Sequence, residues 1–246
     1  MCELLGFAGD KPTDLRETLR SVYAHSVRHP HGWGIMHSGG IAREAVRAVD
    51  SEKLRRLIET LPPQQTLLGH IRFATVGSVR PENCHPFRGT DHSGRVWTMI
   101  HNGTIYSGKQ LIRYLHTQTG DTDSERLFYF LLDSLNDARA VTAKERFRVI
   151  ERAVRQIAPR NKLNLMLWDG ELLYVHKNME DTLKYRVLNG GRLFATAPVD
   201  DGHWKNVPIA QLFAYRAGEL VFRGEPHSGI FVPTLEYITA ADAFNI

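Results

Sequence analysis

The stretch KLNLMLWDGELLYVHKN (162–178) carries the strongest local pattern in a sequence of 246 residues. Two runs that alternate apolar and polar residues flank Asp169 and Gly170, a dipeptide typical of the type I′ turn of a β-hairpin. The pattern therefore predicts two antiparallel strands joined by a two-residue turn. Such a hairpin does not fit a regular succession of parallel βαβ units.

The segments before this hairpin mix helices with further strands. Apolar residues recur at helical spacing in DSERLFYFLLDSLND (123–137) and AKERFRVIERAVRQI (143–157), which predicts two helices. The apolar runs ELLGFAG (3–9), TLLGHIRFAT (66–75) and RVWTMIHNGTI (95–105) predict strands. We therefore expect an α+β protein built on antiparallel sheets.

The amino-terminal part predicts a further helix and a second hairpin. Residues 12–14 (PTD) precede an amphipathic run at 15–27 and are expected to cap that helix. Two strands are expected within 31–48, joined at residues 38–40 (SGG), where glycine permits a tight turn. A helix over 51–61 is expected to stop at the two prolines that follow it.

Composition describes an ordinary globular chain, with 42% hydrophobic and 24% charged residues and a formal charge of +4. The basic residues are spread along the chain, which argues against a nucleic-acid surface. No apolar run reaches the roughly 18 residues of a membrane span, so no membrane association is expected. We expect a single domain over residues 2–246, although the length would also allow two.

Cys2 and Cys84 are the only cysteines, and no secretory signal precedes them. One disulfide between them is possible, but a single pair in a chain of this length is not a disulfide framework. A reducing, cytoplasmic compartment is therefore expected.

Cys2 is also a candidate catalytic residue. Removal of Met1 would place a thiol and a free α-amine on one residue, and an α-amine with a pKa of about 7.7–8 can accept the thiol proton. Such a nucleophile attacks an amide or a similar acyl carbon, and it requires donors for the oxyanion and groups that position the substrate. A lone cysteine near a terminus is also commonly incidental, so the interpretation depends on finding those groups.

Three other segments contain residues of the required kinds. Asn102 and Gly103 in HNGTI offer a side-chain amide and a backbone N–H for an oxyanion, although Asn-Gly is also a common turn. Arg72, in an apolar run, needs an anionic partner, which is either a protein carboxylate or a substrate carboxylate. In GDTDSE (120–125), helix capping by Thr122 and Glu125 accounts for most of the residues. Asp123 is not needed for the capping box, and its carboxylate is suited to bind a substrate ammonium.

These residues, in this order, resemble the class II glutamine amidotransferases of the N-terminal nucleophile hydrolase superfamily. The resemblance covers about residues 2–130. The matching motifs are Cys2, GHIRFAT (69–75), HNGTI (101–105) and TDSE (122–125), and HGWGI and NCHPF also look like family segments.

The resemblance implies a four-layer αββα sandwich and hydrolysis of a glutamine or γ-glutamyl amide through a γ-glutamyl thioester on Cys2, with no metal and no cofactor. The roles it implies are nucleophile for Cys2, oxyanion hole for Asn102 and Gly103, and substrate binding for Arg72, Thr75 and Asp123. One departure is Val76, where several family members have a histidine.

The amidohydrolase domain accounts for nearly all of these residues and leaves no room for a synthase domain, so a free-standing protein is expected. It is similar to the γ-glutamyl hydrolases of ergothioneine synthesis and to the amidotransferase-like subunit of glutathione degradation. Alternative hypotheses are an ammonia-donating subunit with a partner enzyme, a glutamine-binding protein without catalysis, and a metal-binding or regulatory protein that uses Cys84 and His85.

Overall fold

The computed structural model describes residues 2–233, and the expected domain end at 246 lies outside this range. The strands are β1 (Glu3–Thr13), β2 (Trp33–His37), β3 (Gly40–Glu44), β4 (Gln64–Ile71), β5 (Phe87–Thr90), β6 (Val96–Thr104), β7 (Lys162–Trp168), β8 (Leu173–Lys177), β9 (Lys184–Leu188), β10 (Gly191–Ala195), β11 (Lys205–Asn206), β12 (Gln211–Arg216) and β13 (Glu219–Arg223). The α-helices are α1 (Arg16–Ala24), α2 (Glu52–Thr60), α3 (Asp123–Ala138) and α4 (Ala143–Ile157). Among the described residues, 3₁₀ helices span His25–Val27, Ala48–Asp50, Pro81–Asn83 and Lys109–His116.

The strands form two antiparallel sheets. The first has the order β11-β9-β10-β1-β4-β2-β3 and the second the order β13-β12-β8-β7-β6-β5. Because β1 pairs with β4 and β6 pairs with β7, the motif-bearing strands lie inside the sheets and not at their edges. The α+β class with antiparallel sheets is confirmed.

The two sheets stack face to face and each carries a pair of helices on its outer side. One apolar cluster joins α1 and α2 to the first sheet, a second fills the space between the sheets, and a third joins α3 and α4 to the second sheet. In β1, for example, Leu5 and Phe7 face the helices while Leu4 and Ala8 face the other sheet, the period of two that a strand imposes. The expected four-layer αββα arrangement is therefore confirmed.

Strand β7 shows how the same alternation places polar groups between the sheets. Leu163, Leu165 and Leu167 pack against the α3 and α4 layer, and Met166 packs between the sheets. Lys162 and Asn164 share the parity of Met166, so their side chains belong to the layer between the sheets. Both residues are almost completely buried.

The hairpin of β7 and β8 forms, but its predicted two-residue turn is wrong. The last cross-strand pair is Trp168 with Leu173, which leaves a four-residue loop. Gly170 has a positive φ of 87° whereas Asp169 does not, and a type I′ turn requires both. The Asp169 carboxylate instead accepts the N–H groups of Glu171 (2.9 Å) and Leu172 (2.7 Å).

Two other predicted boundaries are also wrong. Strand β1 continues through Thr13, so residues 12–14 do not form a cap as a group; α1 begins at Arg16, whose N–H donates to Asp14 Oδ1 at 3.0 Å. Strand β4 ends at Ile71 and not at Thr75. Arg72 and Thr75 therefore lie in the loop after the strand.

Among residues 2–233, no helix combines the length and the apolar character that crossing a bilayer requires.

Substitution of Asp169 by alanine is expected to reduce the free energy of unfolding strongly. The Asp169 side chain is fully buried and its Oδ2 accepts from Arg146 Nε at 2.8 Å, so its loss leaves a buried guanidinium without this partner. Breaking a buried ion pair in this way costs about 3–5 kcal/mol. The control is Glu59→Ala, which breaks an exposed pair with Arg55 and should cost about 0.5 kcal/mol. If urea denaturation gave equal losses of unfolding free energy for the two variants, the result would contradict a buried ion pair between Asp169 and Arg146.

Candidate active site

Cys2 lies beside the first residue of β1, at the end of the first sheet. The register of β1 and β4 pairs Glu3 with Ile71, and continuing it by one residue places Cys2 across from Arg72. The Cys2 sulfur is a free thiol, 3.3 Å from both the backbone nitrogen and the carbonyl oxygen of Phe73. The expected possibility of a disulfide with Cys84 is not realised.

The electrostatic surroundings of the Cys2 thiol act in two directions. Burial raises its pKa above the ordinary value, because a thiolate is poorly solvated there. The hydrogen bond from the Phe73 backbone and the positive charges of Lys162 and Arg72 lower the pKa. The cations favour the thiolate, which is the nucleophilic form.

Asn102 and Gly103 lie at the end of β6 in the second sheet. Asn102 is 2% exposed, and its Oδ1 accepts a hydrogen bond from Lys162 Nζ at 3.1 Å. Its Nδ2 is buried and meets no acceptor among the described residues. An unpaired buried amide donor is uncommon in folded proteins and points to a function for the group.

Hydrogen bonds at the ends of β4 and β6 bring the two sheets together at this point. His70 Nε2 donates to the carbonyl oxygen of His101 at 3.2 Å, and the hydroxyl oxygens of Thr75 and Thr104 are 3.4 Å apart. The structure therefore gathers Cys2 from one sheet and the Asn102 strand from the other at one end of the sandwich.

The histidines of this junction are neutral near neutral pH. Burial lowers the pKa of His70 to about 3 and that of His101 to about 4, although the charge of Asp123 opposes the latter shift. His101 Nε2 donates to the carbonyl oxygen of Lys162 at 3.3 Å, and its Nδ1 lies 2.9 Å from Ser124 Oγ. Both residues therefore serve as hydrogen-bonded structural groups.

Arg72 has no carboxylate partner among the described residues. Its guanidinium donates to the carbonyl oxygens of Ser78 (2.9 Å), Val76 (3.1 Å) and Gly77 (3.3 Å), and the residue is 3% exposed. Carbonyl dipoles orient a buried cation without neutralising it. Of the two partners that the sequence left open, the protein carboxylate is not realised within residues 2–233.

Asp123 is the first residue of α3, and its carboxylate connects the helix to β6. Oδ2 accepts the N–H of Ile105 at 2.7 Å and Oδ1 accepts the N–H of Ser124 at 2.8 Å. Oδ1 also lies 3.4 Å from Ser124 Oγ, whereas Oδ2 retains a lone pair with capacity for another donor. The contacts give Asp123 a clear structural role beside the Asn102 strand.

The capping box expected at the start of α3 is only half correct. Thr122 Oγ1 accepts the N–H of Glu125 at 3.2 Å, as a capping residue does. The Glu125 carboxylate instead accepts the N–H groups of Thr119 (2.8 Å) and Gly120 (2.7 Å). These two N–H groups belong to the loop before the helix, and their hydrogen bonds hold the Glu125 carboxylate away from the helix start.

Lys162 is a residue of this site that the sequence interpretation missed. The lysine is 1% exposed, and burial lowers its pKa to about 8 against the opposing influence of the Cys2 sulfur. The sequence did contain a signal for this residue: Lys162 is the first residue of a buried strand and shares a strand face with Asn164. Its contact with Asn102 is long-range and could not be derived from the sequence.

Cys84 and His85, the residues of the metal hypothesis, are packed away from such a role. Cys84 Sγ donates to the carbonyl oxygen of Glu44 at 3.3 Å, and the ring centroids of His85 and His70 are 4.1 Å apart. Burial raises the pKa of Cys84 to about 11. Residues 2–233 contain no group of three or more His, Cys, Asp or Glu side chains able to hold a metal ion.

Gly103→Ala is expected to lower the thermal stability, since a Cβ there would lie 1.9 Å from the Lys162 carbonyl oxygen and 2.3 Å from His101 Nε2. Such overpacking costs about 1–3 kcal/mol. The control is Gly108→Ala, where the nearest atom would be 3.4 Å away. Unfolding temperatures that fall equally in the two variants would contradict the close approach of β6 and β7.

Residues 1–189 match the family model described as class-II glutamine amidotransferases. Among curated proteins, "Putative glutamine amidotransferase YafJ" of Escherichia coli (strain K12) is 28% identical over 186 residues, covering 72% of this chain and 72% of that protein.

Solved structures with the same architecture include a "predicted glutamine amidotransferase from Pseudomonas aeruginosa PA01", with a TM-score of 0.63 and 22% identity over 90% of this chain and 100% of that one. A glutamine phosphoribosylpyrophosphate amidotransferase from B. subtilis gives a TM-score of 0.66 at 15% identity, over 89% of this chain and 48% of that one. At these identities the two structures support the fold.

Proposed function

Because this chain belongs to the class II glutamine amidotransferases, we propose that it hydrolyses the γ-amide of glutamine or of another γ-glutamyl compound through a thioester on Cys2. One observation carries the proposal: a free thiol contacts the backbone of Phe73, the residue after Arg72, and Arg72 is a buried guanidinium whose hydrogen bonds within the described residues go to carbonyl oxygens. A substrate that supplies a carboxylate completes the site.

The proposed substrate-binding groups complement a free amino-acid head group. Arg72 binds the α-carboxylate with its remaining donors, and Thr75, whose side chain is exposed, adds a hydroxyl. Asp123 binds the α-ammonium with the lone pair that Oδ2 retains after its contact with the Ile105 N–H. These contacts select a γ-linked side chain, because both α-groups must be unsubstituted.

The proposed reaction begins when the α-amine of Cys2, freed by removal of Met1, accepts the thiol proton. The thiolate attacks the γ-carbonyl carbon, and Asn102 Nδ2 and the Gly103 N–H stabilise the oxyanion. The α-ammonium returns the proton to the leaving nitrogen as the carbon–nitrogen bond breaks, which releases ammonia or an amine. Water, deprotonated by the α-amine, then attacks the γ-glutamyl thioester and regenerates the thiol.

We propose that one domain over residues 2–246 performs this reaction without a metal or a cofactor. The identity of the leaving amine separates two versions of the function. A hydrolase of γ-glutamyl compounds releases a specific amine, whereas an ammonia-donating subunit releases ammonia from glutamine and transfers it to a partner enzyme. Assay of glutamate and amine release by the isolated chain, with glutamine and a panel of γ-glutamyl amides, distinguishes them.

Natively expressed protein is expected to lack Met1 and to acquire one adduct at Cys2 when it is exposed to a glutamine-like diazoketone. The measurement is intact mass before and after exposure. Cys2→Ala should fold, gain no adduct and lose turnover, while the control Cys84→Ala should behave as wild type because Cys84 is buried. Retained Met1 with no adduct would favour the glutamine-binding protein without catalysis.

Arg72→Met is expected to lower kcat/KM for glutamine by about 10- to 100-fold, mainly through KM, since a charge-assisted contact contributes about 1.5–3 kcal/mol. With 4-aminobutanamide, which lacks the α-carboxylate, the same substitution should change little. The control is Arg192→Met, which removes an arginine that also donates to a carbonyl oxygen, that of Gly218. Equal losses with both substrates would exclude the assigned role of Arg72.

A further inference from the structure

Lys162 occupies a position in which its ammonium determines the orientation of the Asn102 side chain. An ammonium group has three donors and no acceptor, so the amide atom that faces it must be the oxygen. Lys162 Nζ lies 3.1 Å from Asn102 Oδ1. The amide nitrogen is therefore turned away from the lysine and is left without an acceptor among the described residues.

The lack of a hydrogen-bond acceptor for Asn102 Nδ2 costs folding free energy. A buried donor without a partner costs about 1–3 kcal/mol, and a free amide would rotate to recover a hydrogen bond. In Asn102 such rotation would point the NH₂ group at the ammonium, bringing two sets of donors together. Lys162 thus keeps the donor available for an oxyanion, which is the preorganisation that acyl transfer requires.

The charge of Lys162 also reaches the nucleophile. The lysine and Arg72 are the two side-chain cations that lower the pKa of the Cys2 thiol. Other titratable groups near this junction are His70, His101, Asp123 at the start of α3, and Cys84, which interacts electrostatically with Cys2. His101 is neutral near neutral pH, so the side-chain positive charge near the sulfur comes from Lys162 and Arg72, in addition to that of the N-terminal amine.

We propose that Lys162 is a positioning residue for the reaction at Cys2: its ammonium holds the Asn102 amide with Nδ2 directed to the oxyanion. The inference deepens the proposed function and rests on it. The ligand recognised by this arrangement is the developing oxyanion of a γ-glutamyl amide.

The first test compares steady-state kinetics of Lys162→Met with those of wild type. Loss of one oxyanion donor costs about 10²–10³ in kcat, and misorientation of that donor should cost at least about tenfold, with KM little changed. Lys162→Arg, which retains the charge and the donors, should recover part of kcat. The matched control is Lys177→Met, since Lys177 is also fully buried and its Nζ has no partner within residues 2–233.

A double-mutant cycle shows whether Lys162 acts through Asn102. In the Asn102→Ala background, Lys162→Met should reduce kcat far less than it does in wild type, because the amide that it orients is gone. A wild-type kcat in Lys162→Met, or an equal loss in both backgrounds, would overturn the inference. Thermal unfolding of each variant separates these outcomes from loss of the fold.

A readout that needs no turnover distinguishes this inference from the proposed function. The rate of Cys2 alkylation by iodoacetamide, followed by peptide mass against pH, reports the fraction of thiolate. Lys162→Met should move this profile to higher pH, whereas Lys177→Met should leave it in place. An unshifted profile would overturn the role of Lys162. Glutaminase failure with a shifted profile would reject the proposed function while retaining the effect on the thiol.

Discussion

Burial of both faces of the central strands is the constraint on which this structure depends. Strand β1 packs its odd residues against helices and its even residues against the other sheet, and β7 does the same with the opposite helix pair. A polar side chain on either face therefore needs a partner within the fold. Polar groups concentrate where the layer between the sheets ends, and the candidate site lies at that place.

Asn102 and Arg72 at that end lack, among the described residues, the partners that their chemistry favours. The amide nitrogen of Asn102 has no acceptor, and Arg72 has carbonyl oxygens in place of a carboxylate. A sequence that satisfies its other local requirements and leaves such groups incomplete directs attention to function. An oxyanion and a carboxylate would both come from the proposed γ-glutamyl substrate, which is why the two observations support one proposal.

The sequence predicted most elements and the residues that meet at the site, because periodicity and the glycine and proline positions are local signals. Its errors have a common origin in side-chain contacts that no local pattern encodes. The Asp169 carboxylate accepts from the N–H groups of Glu171 and Leu172 and from Arg146, and Glu125 leaves its expected cap to bind Thr119 and Gly120. Lys162 was missed for the same reason, as its partner Asn102 is 60 residues away.

The neutral histidines at the sheet junction have a consequence for tolerance of acid. His70 and His101 have folded pKa values of about 3 and about 4, below the ordinary 6.5, so the unfolded chain binds more protons than the folded chain once the pH drops below that value. Their contribution to stability is complete above pH 6.5 and is progressively lost on acidification, towards about pH 4 for His101 and about pH 3 for His70. Burial of the two imidazoles thus makes the protein acid-labile at the junction where its proposed chemistry takes place.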